Sequence, residues 1–223
     1  MYLNVSNKKT ARVRTLFTTV LAFGGALGAV TQVNAQNITS PNTTFAHELP
    51  EGTTAFLVGH AQGTQGYVCL PAGTGASWTV NQARPEATLF TKIFGVDFEI
   101  ITHFLSPDTN PNADAPKPLP FGSATWQSSL DSSKVWAKAV DTLPAGSTSD
   151  CPNAGSIACL LLQSIGTEAG PAGGKALTQV NFIERLNTNG GSAPTTGCSV
   201  TADVGKQALV PYTADYYFFH PGK

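Results

Sequence analysis

Residues 54–70 read TAFLVGHAQGTQGYVCL. Two runs with strand character, 54–60 and 64–70, flank Ala61-Gln62-Gly63. A three-residue loop with a glycine between two such runs predicts a β-hairpin. The same grammar continues outward. Residues 77–80 and 87–91 read as a second pair. In 97–105 (DFEIITHFL), Phe98, Ile100, Thr102 and Phe104 share one face, and Ile101, His103 and Leu105 the other. Both faces of that strand are expected to be covered. Residues 124–130 and 134–140 flank Asp131-Ser132-Ser133, a short turn. Segments 180–188 (VNFIERLNT) and 214–220 (ADYYFFH) are short and β-branched or aromatic. Residues 157–165 (IACLLLQSI) fit a short helix or a buried strand, and periodicity does not separate the two. About seven or more short strands, spaced by roughly ten residues, predict an all-β, mainly antiparallel sandwich or barrel with long Gly/Pro-rich loops.

Composition narrows the function classes. The chain has 223 residues, of which 12% are charged and 41% hydrophobic. An average soluble domain carries about 25% charged residues. Thr, Ser, Asn and Gly supply about a third of the chain. A coiled coil, a long helical bundle and a basic nucleic-acid-binding face all need more Lys, Arg or Glu, so no nucleic acid is expected as a partner.

The N-terminus reads as an address. Lys8, Lys9, Arg12 and Arg14 form a basic leader, 16–30 is uncharged and apolar, and Val33-Asn34-Ala35 ends on small residues. These are the three parts of a secretory signal. An apolar run of about 15 residues is short for a membrane span, which needs about 20. Residues 1–35 are therefore expected to be a signal peptide, 36–45 a polar tether and 46–223 a single β-rich domain. The tether carries two glycosylation sequons, at Asn37 and Asn42. The mature chain is expected to be periplasmic or extracellular, with no transmembrane segment. All 14 acidic residues stay while the four basic leader residues go, which leaves the mature chain acidic.

Cys69, Cys151, Cys159 and Cys198 all follow the leader. In an oxidising compartment, disulfides are the first reading. Four cysteines allow three pairings. The preferred one joins Cys151 to Cys159 across a short Gly/Pro/Ser/Asn-rich loop, and Cys69 in an early strand to Cys198 in a late loop.

Several segments then stand in a recognisable order: Gly66-Tyr67-Val68-Cys69, His103, Trp126 with 131–135 (DSSKV), Leu160-Leu161-Leu162, 180–191 (VNFIERLNTNGG), Ala193-Pro194, Gly197-Cys198 and 210–218 (VPYTADYYF). Together they resemble the secreted bacterial and fungal family catalogued as domain of unknown function 3455. The resemblance runs from about Leu49 to Phe219, and its late block from Arg185 to Tyr217 is the most specific part. It implies an exported, β-rich protein and brings no activity with it. The family pattern has Cys at positions 69 and 198, which implies that these two pair. Cys151 and Cys159 are additions to that pattern.

Motifs for catalysis are few. Residues 47–51 (HELPE) start like a zinc-protease helix, but Pro50 breaks it and the second His is missing. Residues 108–114 (DTNPNAD) alternate oxygen side chains as a calcium loop does, yet Ala113 stands where that loop needs glycine. The stretch reads as a solvated loop. No Gly-x-Gly-x-x-Gly follows a strand in the mature chain. Glu184 and Arg185 are adjacent on a strand and must face opposite sides. The candidate ligand-binding residues are His103, Trp126, Asp131, Arg185 and Tyr217. Arg185 could clamp a carboxylate or sulfate, or close a structural contact. Trp78, Trp126, Trp136, Tyr216 and Tyr217 could make a stacking platform for sugars, although filling the core is the simpler use of such rings. No cofactor is expected; a divalent metal on His60, His103 and His220 is the alternative.

These observations lead to an exported, disulfide-stabilised β-domain that acts by binding a glycan or an envelope protein. The rival expectations are a secreted hydrolase or small metalloenzyme using His103 with carboxylate neighbours, and a structural matrix or coat component.

Overall fold

The computed structural model describes residues 38–39, 43–106 and 123–222. The expected signal peptide, the asparagines of both sequons and the oxygen-rich 108–114 stretch lie outside the described residues. Among the described residues, eight antiparallel strands follow one another around a closed barrel. They are β1 (Thr54–Ala72), β2 (Gly75–Ile93), β3 (Val96–Ser106), β4 (Ser123–Ser128), β5 (Lys134–Leu143), β6 (Cys159–Glu168), β7 (Phe182–Gly190) and β8 (Gln207–His220). The barrel closes where β1 pairs with β8, from Thr54 opposite His220 to Val68 opposite Gln207.

The hairpin expected at Ala61-Gln62-Gly63 does not exist. Residues 54–72 run through as one 19-residue strand, and 75–93 as a second, so the two expected pairs are two long strands. Gly63 sits inside β1 because two backbones meet there: a Cβ at this position would collide with the Glu86 carbonyl and with Ala87. In a strand, glycine can mark such a close approach instead of a turn. The real turns are at Gly73-Thr74 and at Phe94-Gly95. In the second, both residues have positive φ, 52° and 81°, the geometry of a tight hairpin whose twist matches its strands. Residues 159–168 form a strand, which settles the ambiguity over 157–165. On β3 the covering is incomplete: Ile101 and His103 are buried, while Phe98 and Thr102 are exposed.

Side chains from all eight strands meet inside. On β1 the inward positions are small, Gly59, Ala61 and Gly63, and they pair with Tyr216, Ala214 and Tyr212 of β8. Small and large residues thus alternate to fill the narrow interior. One barrel end is plugged by the loop between β6 and β7, whose Leu177 and Val180 enter the core. Asp131, in the β4–β5 turn, ties that plug down. Its carboxylate accepts from the Ser133 N–H (3.0 Å) and hydroxyl (2.7 Å) and from the Ala176 N–H (2.8 Å).

A second, smaller core lies on the outer face of β6 and β7, where Phe45, Leu161, Leu186 and the Cys151–Cys159 disulfide pack together. The far end of the expected tether belongs to it. Thr43 and Phe45 are buried, and Thr43 Oγ1 donates to Glu184 Oε1 at 3.0 Å. A phenylalanine beside an apolar strip docks there for the ordinary hydrophobic reason. Both disulfides pair as preferred from the sequence: Cys69 with Cys198 and Cys151 with Cys159.

Two outcomes follow from this arrangement. Cys69–Cys198 spans 129 residues and Cys151–Cys159 spans eight. On the chain-entropy model the first restricts the unfolded state by about 5 kcal/mol and the second by about 2.5. Urea unfolding should therefore show a larger loss for the C69S/C198S pair than for C151S/C159S. Equal losses would contradict the ranking. The second outcome concerns Glu184. Burial pushes its pKa up to about 7, against the Thr43 hydroxyl, which lowers it, and with help from Asp150. The folded state then holds a proton that the unfolded chain has released, so stability falls as pH rises from 4.5 to 7. Glu184→Gln should match the wild type at pH 4 and exceed it by about 2–3 kcal/mol at pH 8. Parallel urea midpoints at both pH values would refute this.

Candidate functional site

Toward the barrel end where β1 turns into β2, the interior opens into a cavity of about 300 Å³. Every strand contributes to its lining. Val80, Leu105, Leu160, Leu162 and Ile165 give apolar walls, and Ala124, Ala137 and Ala139 leave room between them.

Its floor is aromatic. His103 of β3 and Trp126 of β4 are register partners and stack with centroids 4.1 Å apart and planes 10° from parallel. Tyr216 reaches them from β8, tilted against each at 5.8 and 6.0 Å. Its hydroxyl lies 3.1 Å from that of Tyr212. Trp126 and Tyr216 are 1% exposed and His103 4%. A stacked pair from the neighbouring β3 and β4 and a third ring from β8, which pairs with neither, therefore cross the barrel and separate the cavity from the filled core beneath.

His103 is held neutral. Burial drives its pKa down to about 4, only partly opposed by the Thr125 carbonyl, and Arg185 pushes it further down. Nδ1 lies 2.9 Å from the Thr125 carbonyl. A carbonyl only accepts, so Nδ1 carries the proton and Nε2 the lone pair. Burial likewise raises Tyr212 well above its ordinary pKa, keeping that phenol protonated.

Arg185 supplies the charge. It extends from β7 between Tyr216 and Leu160, its register partners. Nη2 donates to the Ala158 carbonyl at 2.7 Å, and Nε is buried without a hydrogen-bond partner. Glu184, one residue earlier, points outward into the second core. Strand alternation separates these neighbours, as expected from the sequence.

A family model described as "Protein of unknown function (DUF3455)" matches residues 50–220. The chain belongs to the DUF3455 family. Searches of curated proteins and of solved structures return no match. The cavity of this DUF3455 protein is thus read from its own residues.

Of the five expected ligand-binding residues, the structure brings three together: His103, Trp126 and Arg185. Asp131 does structural work instead. Burial pushes its carboxyl up, but the Ala176, Ser133 and Ser128 hydrogen bonds outweigh this and hold it at about 2. Tyr217 faces the second core outside the barrel, and its neighbour Tyr216 lines the cavity. The signal for Tyr216 was present in the sequence: it shares strand parity with Tyr212, Ala214 and Phe218. Gln65 and Lys138 also line the cavity and were not singled out. The aromatic platform is not formed, because Trp126, Trp136 and Tyr216 are all buried. The three histidines stand apart. His60 is 56% exposed and 2.6 Å from Asp215, His103 lines the cavity, and His220 stacks on Phe56 at 3.7 Å. Among the described residues, no three His, Cys, Asp or Glu side chains gather as a metal would require.

The neutral imidazole has a stability signature. The unfolded chain protonates His103 near pH 6.5, whereas the folded chain resists until about 4. Stability should therefore fall as pH drops through that window, by about 3 kcal/mol. The slope runs against that of Glu184, so the test belongs in the Glu184→Gln background. There, adding His103→Asn, which keeps a donor for Thr125, should flatten the urea midpoints between pH 6.5 and 4. A slope that persists without His103 would show that another group causes it.

Proposed function

We propose that this protein is an exported carrier or sensor that holds one small, largely apolar molecule inside its barrel. The cavity carries this reading. An eight-stranded barrel either fills its interior with side chains or leaves space for one small ligand. This one does the first at its plugged end and the second at the other. A concave, mainly apolar site with a few convergent polar groups is the usual form of a small-molecule site. The basic leader, the apolar run and two disulfides support export. No helix among the described residues is long and apolar enough to cross a membrane.

The cavity bears on the earlier expectations. A glycan platform needs exposed rings, and three of the five candidates are buried. Acid–base chemistry on His103 needs a carboxylate, and among the described residues none lines the cavity. Binding without chemistry fits what is assembled there: walls, a floor, a neutral imidazole and a guanidinium.

An environment-sensitive apolar dye tests the reading. The wild type should brighten it with a stoichiometry near one. Ala137→Phe, which fills the cavity from its wall, should abolish uptake, as should Ala139→Trp at the more tolerant rim. Uptake that survives in both variants would place the dye elsewhere and sink the proposal.

A further inference from the structure

We infer that the molecule held in the cavity is a small monocarboxylic acid, with its carboxylate on Arg185 and its apolar body against Leu105, Leu160 and Leu162. This rests on the binding-barrel reading above and adds the chemical class of the ligand.

Charge gives the first argument. Two cationic side chains, Arg185 and Lys138, line the cavity, and among the described residues no Asp or Glu does. Nor does any described carboxylate form an ion pair with Arg185. Arg185 is partly buried, and one backbone carbonyl only partly compensates the hydration that a guanidinium gives up beside a largely apolar chamber. Its field reaches across the interior, acting on His103, Tyr67 and Tyr212. An anion in the cavity would complete it.

Hydrogen-bond valence gives the second argument. Two polar atoms of cavity-lining residues are buried without partners, Arg185 Nε and Trp126 Nε1. Both are N–H groups that can only donate. The charged donor of the cavity wall is thus a planar guanidinium, and a carboxylate, acceptor-only and planar, is its matching partner.

Size and polarity select the rest. At about 30 Å³ for each water-sized unit, 300 Å³ holds about ten non-hydrogen atoms. Lys138 is exposed and Arg185 is partly buried, so one cation is held at the cavity wall, which suits a single negative charge. Octanoate, a chain of eight carbons ending in one carboxylate, is a suitable probe, and octanol is its neutral counterpart.

The experiment measures displacement of the apolar dye by octanoate and by octanol at pH 7.5. Octanoate should compete at least about tenfold better, the equivalent of about 1.4 kcal/mol. Arg185→Met should erase that preference while octanol competes as before. Arg185→Lys keeps the charge without the planar fork, and should retain part of the preference even if the Met variant folds poorly. Equal competition in the wild type, or a preference that survives in Arg185→Met, overturns the assignment and leaves the binding barrel standing. If the wild type takes up no dye at all, the binding barrel fails and this inference falls with it.

Discussion

The pairing of β1 with β8 is the constraint on which the rest depends. An open eight-stranded sheet has two edges, each a row of unsatisfied backbone groups. Joining them from Thr54–His220 to Val68–Gln207 removes both. The junction is built for close approach. Gly59 and Gly63 present no side chain inward, opposite Tyr216 and Tyr212. A Cβ on Gly59 would come within 2.9 Å of the Leu89 Cβ. Those two tyrosines can therefore lean inward and join hydroxyls, and Tyr216 can reach across to His103 and Trp126. The floor of the cavity is thus a consequence of glycines on the opposite strand.

Closure also sorts neighbours into different worlds. Glu184 and Arg185 share a peptide bond, yet one is sealed beneath Thr43 and Phe45 outside the barrel and the other faces the chamber within. The outer burial favours a neutral carboxyl, while the inner chamber brings no described carboxylate to the permanent cation. Tyr216 and Tyr217 divide in the same way. Outward residues of β6 and β7 would be bare but for the N-terminal segment and the short disulfide loop, which together cover the wall opposite the cavity lining.

Much of this was legible in the sequence. Alternation along 97–105, the DSS turn and the aromatic late block establish antiparallel strands, and export chemistry points to the disulfides. What misled was glycine. In Ala61-Gln62-Gly63 it reads as a turn because chain reversal and interstrand crowding select the same residue, and only the partner strand distinguishes them. The 157–165 segment was ambiguous because a strand paired on both sides reads as a plain apolar run, as a buried helix also does. Arg185, His103 and Trp126 could be chosen as candidates from residue type and block position. Their convergence could not, because it depends on barrel closure bringing β3, β4, β7 and β8 around one space. Tyr216, and not Tyr217, lines the cavity, and alternation with Ala214 and Phe218 already places Tyr216 inside.

A barrel selected for stability alone would have no reason to keep this chamber. Empty space in a core costs stability roughly in proportion to its volume, and larger residues at Ala124, Ala137 and Ala139 would reduce it. A partly compensated guanidinium adds to the cost, and an apolar residue in place of Arg185 would remove it. The other half of the same interior shows that the fold can be filled, because Leu89, Ile101, Ile183 and Phe218 are each fully buried there. The open space and a guanidinium with no described ion-pair partner thus coincide in one place. A ligand of complementary shape and charge offsets both together, by supplying apolar contacts and a counter-charge, and its binding free energy adds to the stability of the folded state.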